Sequence, residues 1–430
     1  MLSKDDNALL TKTGPGTPMG EVFRRYWLPA MLSEELPSPD CTPVKLRLLG
    51  EDLVVFRDTS GRVGVIDQYC PHRNANLFWG RNEEDGLRCV YHGWKFDVEG
   101  ICVDMPNEPA SSVFANKVRI NTYSGIDRGG LIWVYMGDRD KTPAVPDLEF
   151  NYVPESHRLV TKRLQHCNYL QNLEGEVDSS HVSFLHSRGG AGGVGAAFGD
   201  GAGLNDFDRA PLFEFKETDY GLAISARRDA PENKYYWRVT QFLMPTYTMI
   251  PSTPGGSVSF TAAIPVDDYE MIGITVTWHP DHPLEQDEID RIRSWTGVHT
   301  EVDAKFEPLR HKGNSYFIDR EAQSRGESFT GIRGIREQDL AVQEDQRGPL
   351  SAREREHLGT ADLGVISTRR RLQRQVRDLI NGIEPLEPNR PEAYRVRSAA
   401  FTDEPTADWQ TAGAAFMKAN PPRDEVKVAT

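Results

Sequence analysis

No apolar run in these 430 residues reaches the ~18 that a membrane-spanning helix needs. The opening Met1-Leu2-Ser3-Lys4-Asp5-Asp6 does not read as a secretory signal, so a cytoplasmic setting is expected. Basic residues are the minority among the charges: 50 Lys and Arg stand against 64 Asp and Glu, a net charge of −14. That balance argues against nucleic acid or an anionic membrane as the main partner. Cysteine is scarce, five in a long chain, and the odd count excludes a closed disulfide framework and reads as reduced thiols. There is no internal repeat and no heptad array. The length exceeds one ordinary core, so two domains are expected.

What is present is concentrated. Cys70-Pro71-His72 is followed, after sixteen residues, by Cys89-Val90-Tyr91-His92. Two mixed pairs, each giving one sulfur and one nitrogen, make the ligand set of a [2Fe–2S] cluster in which two His replace two Cys on one iron. The cysteine-ligated iron stays anchored, while the neutral imidazoles make the other easier to reduce and turn ring N–H groups outward. Tetrahedral zinc is the alternative, but its sites usually pair Cys with Cys and His with His. Gly93-Trp94 after the second pair gives backbone access to the sulfurs and an apolar lid. Cys41, Cys102 and Cys167 remain as free thiols.

This Cys-x-His-x16-Cys-x-x-His pattern with its Gly-Trp resembles the Rieske domain of ring-hydroxylating oxygenases. The opening Pro18-Met19-Gly20-Glu21-Val22-Phe23-Arg24-Arg25-Tyr26-Trp27 is similar to the phthalate-dioxygenase-like subgroup, which includes aromatic O-demethylases. The resemblance runs from about Gly14 to the helix near Ile380. The cluster motif alone is shared with Rieske electron carriers, so the remaining chain must decide.

A second constellation is Glu174-x-x-x-Asp178-x-x-His181-x-x-x-x-His186. At about 100° per residue the first three fall on one helical face, whereas His186 would sit roughly 140° from His181, so the helix must distort or end to bring both rings to one metal. Two imidazoles and one carboxylate with open positions suit the Fe(II) of non-haem oxygenases. An isolated His pair at this spacing is more often structural. The resemblance supplies the rest: His181 and His186 match the family's histidine ligands. Asp178 matches the carboxylate that bridges the iron of one subunit to a cluster histidine, here His92, of its neighbour. Farther along, Asp339 matches the metal carboxylate and Glu344 the acid that follows it, with Glu337 and Asp345 as competitors for the ligand position. Many relatives carry an Asn six or seven residues before the first His, where this chain has Gly175 and Glu174.

Short strand-like runs at Val44–Leu49, Leu53–Phe56 and Val63–Ile66, with turns at Glu51-Asp52 and Asp58–Gly61, suit a small antiparallel domain closing at Leu131–Tyr135. Strand candidates at Leu222–Ser225, Tyr235–Phe242, Val258–Ile264 and Ile272–Trp278 follow. The fold expected is α+β: an N-terminal segment, 1–40, packing on the catalytic domain; a Rieske β domain, 41–150; and a helix-grip-like catalytic domain with an antiparallel sheet, 151–430. Thr360–Ile380 reads as a closing helix, with Leu363, Ile366, Leu372, Val376 and Leu379 inward and arginines elsewhere. The tail from Asn381 reads as a wrapping extension.

The implied cofactors are a [2Fe–2S] cluster and a mononuclear Fe(II), with O₂ as co-substrate. The chain lacks a nicotinamide or flavin fingerprint; Gly189–Gly195 follows His186 with no strand before it and reads as a mobile loop at the active-site mouth. The resemblance therefore implies a separate NAD(P)H-dependent reductase, of flavin or ferredoxin type, and a homotrimer or a multiple of it. It also implies an aromatic acid as substrate. Arg238 matches a strand position at which phthalate-type relatives carry a carboxylate-binding arginine, and an outward arginine on a half-exposed strand is the alternative. A second upstream arginine is not matched, Arg209 being the nearest base, so a methoxylated, lignin-derived acid stands beside a dicarboxylate. Two rivals are a Rieske carrier with no oxygenation of its own and a zinc-stabilised binding protein.

Overall fold

Alternation decides the first strands. In Val44–Leu48, Leu46 and Leu48 are buried while Lys45 and Arg47 face solvent, the period of a half-buried strand. The computed structural model describes residues 2–187, 202–293 and 297–421. Its first strands are β1 (Trp27–Leu32), β2 (Val44–Leu48), β3 (Glu51–Arg57), β4 (Val63–Asp67) and β5 (Arg81–Glu83). They continue as β6 (Gly86–Arg88), β7 (Lys95–Phe96), β8 (Cys102–Asp104), β9 (Thr122–Arg128) and β10 (Leu131–Tyr135). One antiparallel sheet runs β1-β10-β9-β4-β3-β2 and a smaller one β5-β6-β7-β8. Glu51-Asp52, expected as a turn, opens β3 instead. The reversal falls one step earlier, at Leu49 (φ 48°) and Gly50 (φ 77°), two positive-φ residues in a two-residue hairpin loop.

The segment 1–40 is divided between neighbours. Its helices Lys4–Thr11 and Pro18–Phe23 lie against the long helix Leu363–Ile380, while Trp27–Leu32 pairs with β10 and joins the first sheet. Ser3 and Thr17 cap the two helices by accepting from the Asp6 and Gly20 amides.

The second sheet is built from β11 (Arg158–Gln165), β12 (Leu212–Thr218), β13 (Gly221–Ala230), β14 (Lys234–Leu243), β15 (Tyr247–Ile250), β16 (Val258–Pro265) and β17 (Met271–Trp278). Its antiparallel order is β11-β17-β16-β15-β14-β13-β12, and β18 (Ala399–Asp403), from the stretch beyond Asn381, adds to β14. Helices cross this sheet, giving the expected α+β architecture. In Leu363–Ile380, Leu372 and Val376 are buried, with Leu363, Ile366 and Leu379 half-buried. The arginines depart from expectation: Arg369 is buried on Glu174 and Glu356, and Arg371 on Glu387. An apolar periodicity cannot show that carboxylates wait on the facing elements.

One aromatic core links the two sheets. Trp133 of β10 stacks over Phe150 with centroids 6.5 Å apart and meets Tyr247 edge-on at 6.3 Å. Phe150 in turn touches Phe260 at 5.0 Å and Trp278 at 5.6 Å. The Tyr247 hydroxyl donates to the Trp27 carbonyl, pinning β15 to β1.

Candidate metal centres

The loop from β4 to β5 carries Cys70 and His72, and the loop from β6 to β7 carries Cys89 and His92. Both loops are tied by backbone hydrogen bonds. Cys70 N donates to Ala75 O at 2.9 Å and Cys89 N to Trp94 O at 2.8 Å. Gly93 takes φ 79° at the second turn, and a Cβ there would stand 2.6 Å from Pro106 Cγ, so only glycine fits. Under the loops lies a small apolar pad of Phe56, Ile66, Leu77, Leu87 and Phe96.

All four side chains meet at one tip. The two thiols are buried and in hydrogen-bond contact with each other. The imidazoles of His72 and His92 are half-buried, their centroids 4.4 Å apart. Trp94 stacks flat on His72 at 4.3 Å and is held by its own bond from Nε1 to Asn107 Oδ1, 2.8 Å. Burial, and then the Cys89 thiol beside it, pushes the Cys70 thiol up to about 12. A thiol pair so placed gives up its protons only to a cation. His92 Nδ1 is buried without a hydrogen-bond partner among the described residues. Two sulfurs side by side, two imidazoles side by side and an orphaned ring nitrogen fit a two-iron cluster, and the mixed loop pairs are what a tetrahedral zinc site lacks.

The second centre forms where a helix stops. Asn168 caps Tyr169–Glu176 by accepting from Leu170 N, and the helix ends at Val177. Asp178 then turns the chain by accepting from Ser180 N at 2.7 Å, and a short 3₁₀ turn, His181–Ser183, follows. Glu174, Asp178 and His181 therefore do not share one continuous helical face. Glu174 points the other way, into a bidentate pair with Arg353 (2.8 and 2.9 Å) and a further bond from Arg369 (2.6 Å). Removing one partner of so buried a set costs about 3–5 kcal/mol, and this set fixes the helix that leads into the site.

The break brings the two histidines together. His181 Nε2 and His186 Nε2 are 3.1 Å apart, and Asp339 Oδ1 is 3.7 Å from the first and 3.3 Å from the second. Asp339 lies on the helix Ile335–Gln343. Burial alone would raise its carboxyl, but His186, Arg336 and His181 outweigh burial and hold it down at about 2. Two nitrogens and one carboxylate oxygen converging in this way could hold one metal ion with positions left open. Each has a partner behind it. Asp178 Oδ2 is 3.3 Å from His181 Nδ1, Gln338 Oε1 is 2.7 Å from His186 Nδ1, and Arg336 Nη1 is 3.5 Å from Asp339 Oδ2 and paired with Glu176. The competitors go elsewhere. Glu337 is buried beside Gly334, burial raising its carboxyl to about 7, and Asp345 meets Lys312 at the surface. Glu344 accepts from His166 N and from the Tyr316 hydroxyl. A Cβ on Gly175 would lie 2.4 Å from Gln343 Nε2, so the Gln343 amide takes up the space that a side chain there would need.

A cavity of about 40 Å³ opens beside the three donors, with Thr240, Ile250, Pro251 and Val298 among its walls. Arg238 is buried at its edge, its Nε donating to Ser179 Oγ at 3.2 Å. The outward alternative for this arginine is thereby set aside. Sequence reasoning missed Arg228, which reaches Ser179 O at 2.6 Å and is fully buried. Burial, and then the neighbouring Arg238, lowers its guanidinium to about 10. The signal lay in register: Ala226 faces Arg238 across β13 and β14, so Arg228, two residues on, shares its side of the sheet. Arg209, the base expected nearby, sits on Asp206 at the surface instead. Gly189–Gly195 lies outside the described residues.

Comparison with known proteins gives matching results. Residues 26–124 match the Rieske [2Fe-2S] domain family, and residues 134–428 match the family described as LigXa C-terminal domain like. The chain is 41% identical to the phthalate 4,5-dioxygenase oxygenase subunit of Pseudomonas putida, over 86% of this chain and 85% of that one. It is 39% identical to the 3-chlorobenzoate-3,4-dioxygenase oxygenase subunit of Comamonas testosteroni, over 95% and 96%. It is also 31% identical to the 5,5'-dehydrodivanillate O-demethylase oxygenase subunit of a Sphingobium strain, over 90% and 83%. Among solved structures, an oxygenase–ferredoxin complex of carbazole 1,9a-dioxygenase shares the fold, with a TM-score of 0.55 and 17% identity over 88% of this chain and 95% of that one.

Proposed function

Since the chain belongs to the Rieske non-haem iron oxygenases, in their phthalate-dioxygenase-like branch, and is the oxygenase component of such a system, we propose that it oxygenates an aromatic acid. The reaction is ring hydroxylation or O-demethylation, which draw on the same oxidant and differ in the carbon presented. Membership sets aside the pure carrier and the zinc-stabilised binder. In this reading Cys70, His72, Cys89 and His92 hold the [2Fe–2S] cluster, and His181, His186 and Asp339 hold the mononuclear iron. When bound, these groups supply single electrons and the activation of O₂; the protein supplies position, potential and exclusion of wasteful chemistry.

The observation that carries the substrate class is the buried Arg238 at the cavity beside the three converging donors. Arg238 shares the cavity wall with the apolar Ile250, Pro251 and Val298, which suit a ring, and Arg228 backs Arg238 through the same serine. A carboxylate set against Arg238 would turn that ring toward the metal. A dicarboxylate is a further reading, and the phthalate and chlorobenzoate relatives bracket the two cases by name. Screening aromatic acids for substrate-dependent O₂ uptake with a surrogate reductase tests the class; stimulation only by uncharged aromatics overturns it. Arg238→Met should lower kcat/KM for the acid by roughly 10- to 100-fold, the loss of one charge-assisted bond, and leave the corresponding neutral alcohol unaffected.

Cys89→Ser should remove the cluster's visible absorption and its EPR signal together, since each iron has only two protein ligands. A normal spectrum from the serine protein would sink the assignment.

Electrons come from a separate NAD(P)H-dependent reductase, of flavin or ferredoxin type; an oxygenase–ferredoxin complex among the structural neighbours supports such a division. The active unit in this reading is a homotrimer or a multiple of it. Tyr69, Trp79, Val90 and Tyr91 are exposed around the cluster tip, Trp79 to 65%, which is the kind of surface that a neighbouring subunit covers. No hydrogen bond among the described residues joins either cluster imidazole to Asp178 of the same chain, and a head-to-tail contact would close a ring. A cytoplasmic setting belongs to this reading and is supported by the cysteines, none of which is in a disulfide; no helix among the described residues is long and apolar enough to cross a membrane.

A further inference from the structure

The side-chain amide of Gln338 is held at both ends, and this decides how His186 presents itself. Gln338 Nε2 donates to the Ile332 carbonyl oxygen at 2.9 Å, so Oε1 is the atom that reaches His186 Nδ1, at 2.7 Å. Reversing the amide would set two oxygens against each other at Ile332. An amide oxygen only accepts, so His186 Nδ1 carries the ring proton and Nε2 keeps its lone pair. That lone pair is the one directed at the space beside Asp339 Oδ1 and His181 Nε2. We propose that Gln338 is a positioning residue for the mononuclear metal, acting through His186; the inference rests on reading His186 as a ligand.

The two imidazoles are thus oriented by different chemistry. His181 has a carboxylate behind it and His186 a neutral amide. A carboxylate partner orients a ring and also raises its basicity, whereas an amide orients it and adds no charge. His186 is 3% exposed, so its Nδ1–H has no ready exchange for water if the amide is lost. Gln338 also neighbours Asp339 in sequence. The helix Ile335–Gln343 therefore brings a carboxylate donor, the Arg336 guanidinium on that donor's other oxygen and the amide that aims a second donor. The position of Gln338 is itself anchored to the loop before its helix, through Ile332, so the ring, the amide and the loop form one chain of contacts.

The test uses full-length, cluster-loaded protein stripped of its mononuclear metal and titrated with Co(II), read by visible absorption, with the cluster spectrum as the check on folding. Gln338→Leu should bind Co(II) roughly 10- to 100-fold more weakly than the parent. Gln338→Glu keeps an acceptor for Nδ1–H and should stay within a few-fold of the parent, although it gives up the bond to Ile332. Parent-like Co(II) affinity in Gln338→Leu overturns the inference. Equal weakening in both variants does so as well, because the anchor to Ile332 and not the acceptor on His186 would then be what matters. His186→Ala separates this from the underlying assignment. If it binds Co(II) normally, the ligand reading fails; if it loses Co(II) while Gln338→Leu does not, only the role of Gln338 fails.

Discussion

Asp339→Ala is expected to abolish oxygenation while the cluster's absorption stays unchanged. Among the described residues only Asp339 brings a carboxylate to the two Nε2 atoms, and it is buried. Without it a ferrous ion would face two neutral imidazoles and no carboxylate donor, and metal affinity falls with the ligand. Arg336 would keep Glu176 as a partner, so the helix Ile335–Gln343 should hold its place. The expected result is protein that folds, loses the mononuclear iron on dialysis and shows no substrate-dependent O₂ uptake. Glu337→Ala is the control. Its carboxyl is directed to the Gly334 turn, and the variant should keep its iron. Full activity in Asp339→Ala, or loss of iron in Glu337→Ala, would mean that the carboxylate has been misassigned.

Asp178→Asn should leave both centres loaded and still lower turnover by roughly a hundred-fold or more. Asp178 is not one of the three converging donors; it stands behind His181, with its other oxygen held by Ser180 N. Burial works against ionisation of its carboxyl, but the His181 ring outweighs burial and holds it below the usual carboxylate range. Asparagine keeps the shape and loses the charge. In the proposed ring, Asp178 lies between His181 of one subunit and His92 of the next, so the substitution should slow single-turnover electron transfer while iron content is unchanged. Normal transfer in Asp178→Asn, or full activity from a dilute monomer, would remove the inter-subunit route.

The cluster loops were legible because spacing carried them: four ligands of two types at fixed separations need no tertiary information. The second centre was half legible. The spacing of His181 and His186 ruled out one regular helix through both, and the helix in fact ends earlier, at Val177, ahead of either ring. The destination of Glu174 was not readable, because Arg353 and Arg369 lie far along the chain and look like ordinary surface charge in a local window. Gln338 was hidden for a different reason. A neutral amide beside an acid has no signature until the ring it faces is known. Arg228 was passed over because its role depends on the register between β13 and β14, which alternation along one strand does not fix.

The aromatic stack that runs from Trp133 through Phe150 to Trp278 bears on how electrons can travel. A Rieske head on a tether can swing from donor to acceptor, and its rate then depends on the viscosity of the medium. Here a swing would have to pull apart buried rings worth about 1.5–3 kcal/mol each in apolar area. It would also break the bond between Tyr247 and the Trp27 carbonyl. Parting even a few of those rings costs a large share of a typical domain's stability. The tip carrying His72 and His92 therefore behaves as a fixed terminal and not as a shuttle: the donor comes to it, and in the proposed ring the distance to the acceptor would be set by assembly.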